Sequence, residues 1–433
     1  MASKGIPASG ASGAALSETA RFKLLLVIAV LATFFNILDR SILSILAEPI
    51  KQDLGLTDTQ LGFLTGFAFA LFYSFAGLPI ARYVDRPHSD RPLVIASCMA
   101  LWSAMTMVCG MAANYGQLLV ARMLVAVGES GGGPPILTLM NHYVTPANRS
   151  RAFGIYSLGI PLGTLAGLMV GGWLADLVGW RMTFIIVGAP GLLLALIIKL
   201  TLHEPRKTEP APVATEAHPS ILENCRVIFG SPALRWLTAA TALIGVFVTA
   251  LPNWTGIYLI RVVELSPTQA GLLLGLTMGA GAIGTYYGGA LADRFARAGP
   301  GRALLVPCYG LLIGIPAAGL AIASSDWRVF AALYWISFVG AASYLGPFFS
   351  VVQQLVGPKY RATTIVIIMM LFNLVGVGLG SFAVGVASDY FAPLYGRDSL
   401  RWILVVGHLA AVVPAFLYYR AAALADRGIV DGE

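Results

Sequence analysis

The chain has 433 residues, of which 57% are hydrophobic and 11% charged, and its mean hydropathy is +0.78. A soluble domain carries about 25% charged residues, so these values exclude a soluble enzyme or binding module and describe an integral membrane protein. The net charge of +7 would suggest a nucleic-acid partner in a soluble protein. In a membrane protein, Lys and Arg retained on the cytoplasmic side account for it, and no nucleic-acid partner is expected.

Residues 1–20 (MASKGIPASGASGAALSETA) are small and polar. They lack the apolar core of a signal peptide and read as a disordered tail. A membrane-spanning helix needs about 20 apolar residues. Twelve runs meet that need, at about 22–47, 58–81, 92–112, 117–140, 151–175, 182–202, 233–258, 268–291, 303–323, 327–354, 362–388 and 401–420. Short links join them, with one exception. Residues 204–232 are Pro-rich and charged, and they divide an N-terminal six-helix bundle (21–203) from a C-terminal one (233–421), leaving 422–433 as a tail. Within this linker, 221–229 has the pattern of a short amphipathic helix on the membrane surface.

Orientation follows from the basic residues. With the N-terminus inside, 20 of the 28 Lys and Arg fall in inner segments and six in outer ones, while Arg40 and Arg122 lie within spans. That bias predicts a multi-pass protein with both termini in the cytoplasm, and the compact loops and short tails suit a bacterial inner membrane. The four cysteines have neither disulfide nor metal spacing, and the five histidines are dispersed, so no metal or other cofactor is expected.

The halves echo each other. TPANRSRAFGI (145–155) resembles GPKYRATTIVI (357–367), GGWLAD (171–176) resembles VGVASD (384–389), and ARYVDR (81–86) resembles GALADR (289–294). A repeat at half the chain length predicts two bundles related by a pseudo-twofold axis along the membrane normal, with a substrate site at midplane between them.

These motifs carry a family resemblance. GALADRFAR (289–297) is similar to the loop motif of the major facilitator superfamily, and ARYVDR followed by Arg91 resembles its degenerate first copy, with Ala81 where that family usually has Gly. RMLVAVGES (122–130) and GIPLGTLAGLMVGGWLAD (159–176) resemble its fourth- and fifth-helix motifs. Within the superfamily, FFNILDRSILS, the stretch from Asp53 to Arg86 and VGESGGGPP together resemble the spinster lipid transporters over about residues 21–421. The resemblance implies an all-α major facilitator fold of twelve transmembrane helices in two six-helix bundles. It further implies alternating access, an amphipathic anionic lipid substrate of the sphingosine-phosphate or lysophospholipid type, and proton coupling.

The candidate site rests on charges inside apolar runs. A charge at the bilayer centre costs about 2.5–3.5 kcal/mol on insertion scales, so such residues face protein and have partners. Arg122 and Glu129 are seven residues apart, near two helical turns, on one helix face and about 10.5 Å apart. Asp39 and Arg40 are the other intramembrane charges. Arg40 and Arg122 are candidate anion binders, because a guanidinium stays charged and matches carboxylate or phosphate. Asp39 and Glu129 are candidate proton carriers. Low dielectric disfavours the ionised carboxylate and a neighbouring guanidinium favours it, so substrate that competes for the arginine releases the acid to take up a proton. Which acid is primary stays open, and a purely structural pair of ion bridges is the alternative. Asn36, Asp39, Arg40 and Leu43 share a face at i, i+3, i+4 and i+7. Spinster resemblance implies that Asp39 pairs with Arg122, with Glu129 nearby. Ser130, Tyr344, Phe348 and Asn373 complete the candidate lining: a charged N-terminal wall and an apolar, aromatic C-terminal wall suit an amphiphile.

Asp85-Arg86 and Asp293-Arg294, at corresponding positions of the two halves, are candidate conformational latches at the cytoplasmic face, with the Asp set near a helix N-terminus; the alternative is an ordinary basic loop. Gly128-Glu129-Ser130-Gly131-Gly132 matches a nucleophile-elbow pattern, but it lies in a membrane helix with no strand-to-helix turn, so an enzyme is not expected. Its glycines, with Pro134 and Pro135, instead allow close packing and a local helix break. An exporter of drugs or small organic anions in the same fold, and a lipid-binding receptor that does not transport, are the alternative functions. The partners expected are the bilayer, the substrate and protons, with the protein a monomer.

Overall fold

The computed structural model describes residues 18–84, 86, 89–144, 148–204, 220–324 and 326–430, and among them the secondary structure is helical, without strands. Residues 1–17 of the expected N-terminal tail, most of the linker and Asp85 lie outside these residues, whereas residues 18–20, expected in that tail, begin the first helix. Eight helical runs are long and apolar enough to cross a bilayer. Two of them, of 51 and 66 residues, would measure about 77 and 99 Å at 1.5 Å per residue, more than twice a hydrocarbon core of about 30 Å. Each is two spans, folded back at a glycine of positive φ: Gly179 (75°) in the first and Gly396 (56°) in the second.

Two more spans are interrupted helices. The fourth is Tyr115–Ser130 followed by Gly133–Tyr143, and the eighth is Pro267–Gly279 followed by Gly281–Ala296. The described residues thus form the twelve expected rods. We label them α1 (Glu18–Leu54), α2 (Asp58–Val84), α3 (Arg91–Gly110), α4 (115–143), α5 (149–178), α6 (180–201), α7 (Pro232–Arg261), α8 (267–296), α9 (Leu305–Ala323), α10 (Trp327–Leu355), α11 (361–395) and α12 (399–430).

Local chemistry sets the starts. Thr57 with Gln60 and Ser266 with Gln269 form capping boxes at α2 and α8, and Asp90, Asn114, Ser231 and Asp326 cap α3, α4, α7 and α10 through a backbone N–H. Such caps satisfy donors that a helix leaves unpaired. The linker segment forms the expected short helix, Ile221–Gly230, capped by Ser220 and Glu223. Its Asn224 accepts a hydrogen bond from Thr364 of α11 at 3.1 Å in a buried contact.

Small residues decide which helices touch. Gly159, Gly163 and Gly167 of α5, spaced by four, lie where a Cβ would come within 2.8 Å of the Val30, Phe34 and Leu38 carbonyls of α1. Helix axes in lipid approach this closely only over glycine-type positions. Three short π-helical stretches, 63–67 in α2, 246–250 in α7 and 372–379 in α11, pack together, with Gly245 against Gly376. π-Bulges of this kind cluster at functional sites.

The halves α1–α6 and α7–α12 meet near the face that the Lys and Arg bias assigns to the outside, termed the outer face below. There Gly172 and Gly271 close the α5–α8 seam, Gly62 and Gly66 pack on Ser381 between α2 and α11, and Gly256 of α7 packs on Ser44 of α1. The two halves are therefore packed together at the outer face.

Candidate functional site

Adjacent residues of α1 divide the charge between two ion pairs on α4. The Arg40 Nε donates to Glu129 Oε2 at 2.6 Å, and the Arg122 Nη1 lies 3.5 Å from Asp39 Oδ2. Successive helical residues point about 100° apart, so Asp39 turns into the α1–α3–α4 core while the longer Arg40 reaches along α2. Thr106 of α3 donates to Asp39 Oδ2 at 3.0 Å. The Arg40 guanidinium lies 4.5 Å from the Tyr73 ring centroid and 5.0 Å from that of Phe69, and Arg122 lies 5.4 Å from the same Phe69 centroid. Guanidiniums in low dielectric gain from such ring contacts. Glu129 and both members of the inner pair are sealed, with Arg122 only 2% exposed, whereas Arg40 keeps 28% of its side-chain surface accessible. Buried polar atoms are left over: Asp39 Oδ1, Glu129 Oε1 and the Arg122 Nε have no hydrogen-bond partner among the described residues.

Helix α4 supplies both charges because it is held tightly. A Cβ on Gly128 would come within 2.7 Å of the Trp102 backbone nitrogen of α3, and Gly131 faces the Cys98 sulfur. The helix then breaks between Ser130 and Gly133, as the glycines and prolines suggest.

The remaining sequence candidates are less uniform. Asn36 is half-buried on α1. The Ser130 hydroxyl donates to Val127 O of its own helix at 2.7 Å. Tyr344 stacks on Phe372, with centroids 6.0 Å apart. Phe348 is fully enclosed in the C-terminal core, away from any exposed wall. Asn373 sits in the α11 π-stretch and donates to Met369 O at 2.9 Å. Asp293 and Arg294 are exposed at the basic end of α8, and Arg86 is exposed at the corresponding end of α2, next to Asp85, which is outside the described residues. Phe69, Tyr73 and Thr106 are not apparent in the sequence, where they read as ordinary apolar and helix-packing positions.

Sequence reading also missed a second charged cluster, at the outer face. Arg261 at the end of α7 donates through Nε and Nη2 to Glu48 Oε2 of α1 (2.9 and 2.7 Å) and through Nη1 and Nη2 to Asp58 of α2 (2.7 and 2.8 Å). Asp58 also accepts from Lys51 Nζ (2.5 Å) and from the Ser388 hydroxyl of α11 (2.6 Å). Asp389 of α11 accepts from the first backbone N–H groups of α2, at Asp58 (3.0 Å) and Thr59 (2.7 Å). Thr268 of α8 donates to Asp176 of α5. Every one of these bonds except that of Lys51 joins one half to the other. A signal was present: Asp176 and Asp389 end the two copies of the repeated GGWLAD/VGVASD segment.

Known proteins resemble this chain over nearly its whole length. A 407-residue stretch is 33% identical to a protein of Mycolicibacterium smegmatis named an MFS-type efflux pump, covering 94% of this chain and 93% of that one. The hexuronate transporter of Bacillus subtilis is 25% identical, over 88% of this chain and 92% of its own length. A crystal structure of a bacterial homologue of the human lysosomal transporter Spinster, inward-facing and unoccupied, superposes with a TM-score of 0.83 at 28% identity, covering 98% of this chain and 99% of that chain. The sequence profile of the Major Facilitator Superfamily matches residues 29–381. Twelve helices in two halves, ion pairs held between apolar helices and relatives that are transporters agree on one conclusion: the chain is a membrane-spanning secondary transporter, not an enzyme, and it belongs to the Major Facilitator Superfamily.

Proposed function

We propose that this transporter moves an amphipathic anion, a sphingosine-phosphate or lysophospholipid type of lipid, against protons by alternating access. One observation carries the reading: Arg40, paired with the sealed Glu129, is the accessible member of two buried ion pairs. An incoming phosphate or carboxylate competes with Glu129 for the Arg40 fork. The displaced carboxylate, buried without its counter-ion, is then driven to bind a proton. Anion binding and proton uptake are thereby linked at one place. The aromatic Tyr344–Phe372 stack on the opposite half suits an acyl tail. The Lys and Arg bias supports both termini in the cytoplasm and the compact loops suit a bacterial inner membrane; in that orientation the halves are packed together toward the outside, which favours access from the cytoplasm. The protein acts as a monomer in this reading.

A second reading has its own support. The hexuronate transporter and the efflux pump among the relatives favour a small organic anion or drug on the same arginines, with export as the direction. Proteoliposomes separate the readings: uptake of labelled lysophosphatidate and of labelled glucuronate is measured with and without an imposed pH gradient, for the wild type and for Arg122→Ala, Asp39→Asn and Glu129→Gln. Gradient-driven lysophosphatidate movement, lost in the folded variants, is expected. Movement of glucuronate alone moves the assignment to organic anions. Binding without movement of either makes the protein a receptor, and full transport by all three variants refutes the site.

A further inference from the structure

Among the described residues, Phe69 is the aromatic ring that lies against both arginines of the site. Its ring centroid is 5.0 Å from the Arg40 guanidinium and 5.4 Å from that of Arg122, and the ring stacks on Tyr73 at 5.9 Å with an interplanar angle of 18°. It sits at the boundary between a pair with an accessible member and a pair with none, since Arg40 is 28% and Arg122 2% exposed. Two like charges so placed repel each other. An aromatic face offsets that repulsion by attracting each cation, while its bulk keeps water from joining the two environments.

We propose that Phe69 is a positioning residue that partitions the site: it confines anion binding and the linked proton uptake to Arg40–Glu129 and withholds the Asp39–Arg122 pair from the cavity, so that no second carboxylate exchanges protons independently of substrate. The proposal rests on the proton-coupled reading above and deepens it by confining the coupling to one pair. The groups that face the partition are few. Arg40 and Tyr73 lie on the accessible side, with Glu129 behind Arg40, while Asp39, Arg122, the Thr106 hydroxyl of α3 and the Cys109 thiol of α3 lie on the sealed side. Asp39 Oδ1 and the Arg122 Nε, both buried and unpartnered, would be solvated at once if water from the cavity reached them. A leucine in place of the ring nearly keeps the apolar character but loses the cation–π face and part of the bulk. The Asp39–Arg122 pair then exchanges protons with the cavity whether or not substrate is bound.

The test compares wild type, Phe69→Leu and Phe69→Trp in proteoliposomes that enclose a pH-sensitive dye. Two quantities are read: substrate-free proton leak under an imposed gradient, and the gradient-driven accumulation of labelled lysophosphatidate and labelled glucuronate relative to their exchange at equilibrium. For Phe69→Leu the expected result is a leak raised by about tenfold and accumulation reduced by about tenfold, with exchange within about twofold of wild type, a size consistent with loss of ring–cation contacts at a desolvated site. Phe69→Trp, which keeps an aromatic face, restores the wild-type ratio. A leucine variant that loses exchange and accumulation equally, or a tryptophan variant no better than leucine, overturns the partition. A leucine variant as tightly coupled as the wild type also overturns it and leaves the coupled reading intact. A wild type indifferent to the gradient overturns both.

Discussion

The outer clasp is the most exposed point of the proposed cycle. In Arg261→Gln, four charge-assisted contacts of 2.7–2.9 Å between α7 and the ends of α1 and α2 disappear. Removing one partner of a buried ion pair costs about 3–5 kcal/mol, because the other charge stays buried and uncompensated. Asp58 keeps Lys51 and Ser388, and Glu48 keeps the Gln52 amide at 3.0 Å, so the lower end of that range applies. A loss of about 3 kcal/mol from the outer-closed state shifts its population against the outer-open state by about a hundredfold, at 1.4 kcal/mol per factor of ten. Spin labels at the exposed positions Ala113, in the α3–α4 loop, and Arg328, in the first turn of α10, at the outer ends of opposite halves, report the change as a longer distance population in pulsed electron–electron resonance. A distribution identical to that of the labelled parent, with the protein folded, would refute the reasoning: the clasp would then contribute nothing to closure.

Two further expectations concern the same equilibrium. In Gly271→Ala, the new Cβ meets the Leu168 carbonyl of α5, and overpacking of about 1–3 kcal/mol should lengthen the same label distance, whereas Gly289→Ala, where a Cβ meets nothing within 4 Å, should leave it unchanged. If Asp85 and Asp293 latch the cytoplasmic face in the alternate state, Asp85→Asn and Asp293→Asn should shorten outer-face distances and lengthen inner-face ones; unchanged distributions in both variants would leave these residues as ordinary loop charges.

Much of the architecture was local information. Lipid offers the backbone no partners, so apolar length alone fixes the twelve spans, and the broken repeat of two six-helix halves follows from composition and spacing. The cost of charge in hydrocarbon likewise singled out Asp39, Arg40, Arg122 and Glu129 without reference to any neighbour. Caps such as Thr57–Gln60 and Ser266–Gln269, and the short linker helix, were also determined within a few residues of chain. What tertiary structure alone decided is partnership. Whether Arg40 meets Glu129 or Asp39 depends on how α1, α2 and α4 are rotated about their axes. That rotation is set by glycine contacts between residues far apart in sequence, such as Gly163 with Phe34. The same cause placed Phe69 beside two arginines, enclosed Phe348 in the C-terminal core and turned the Ser130 hydroxyl to its own helix. It also made Arg261, one more outer basic residue in the sequence, the bond between the two halves. Apolar length and charge are properties of a segment, whereas pairing is a property of the packed surfaces between segments.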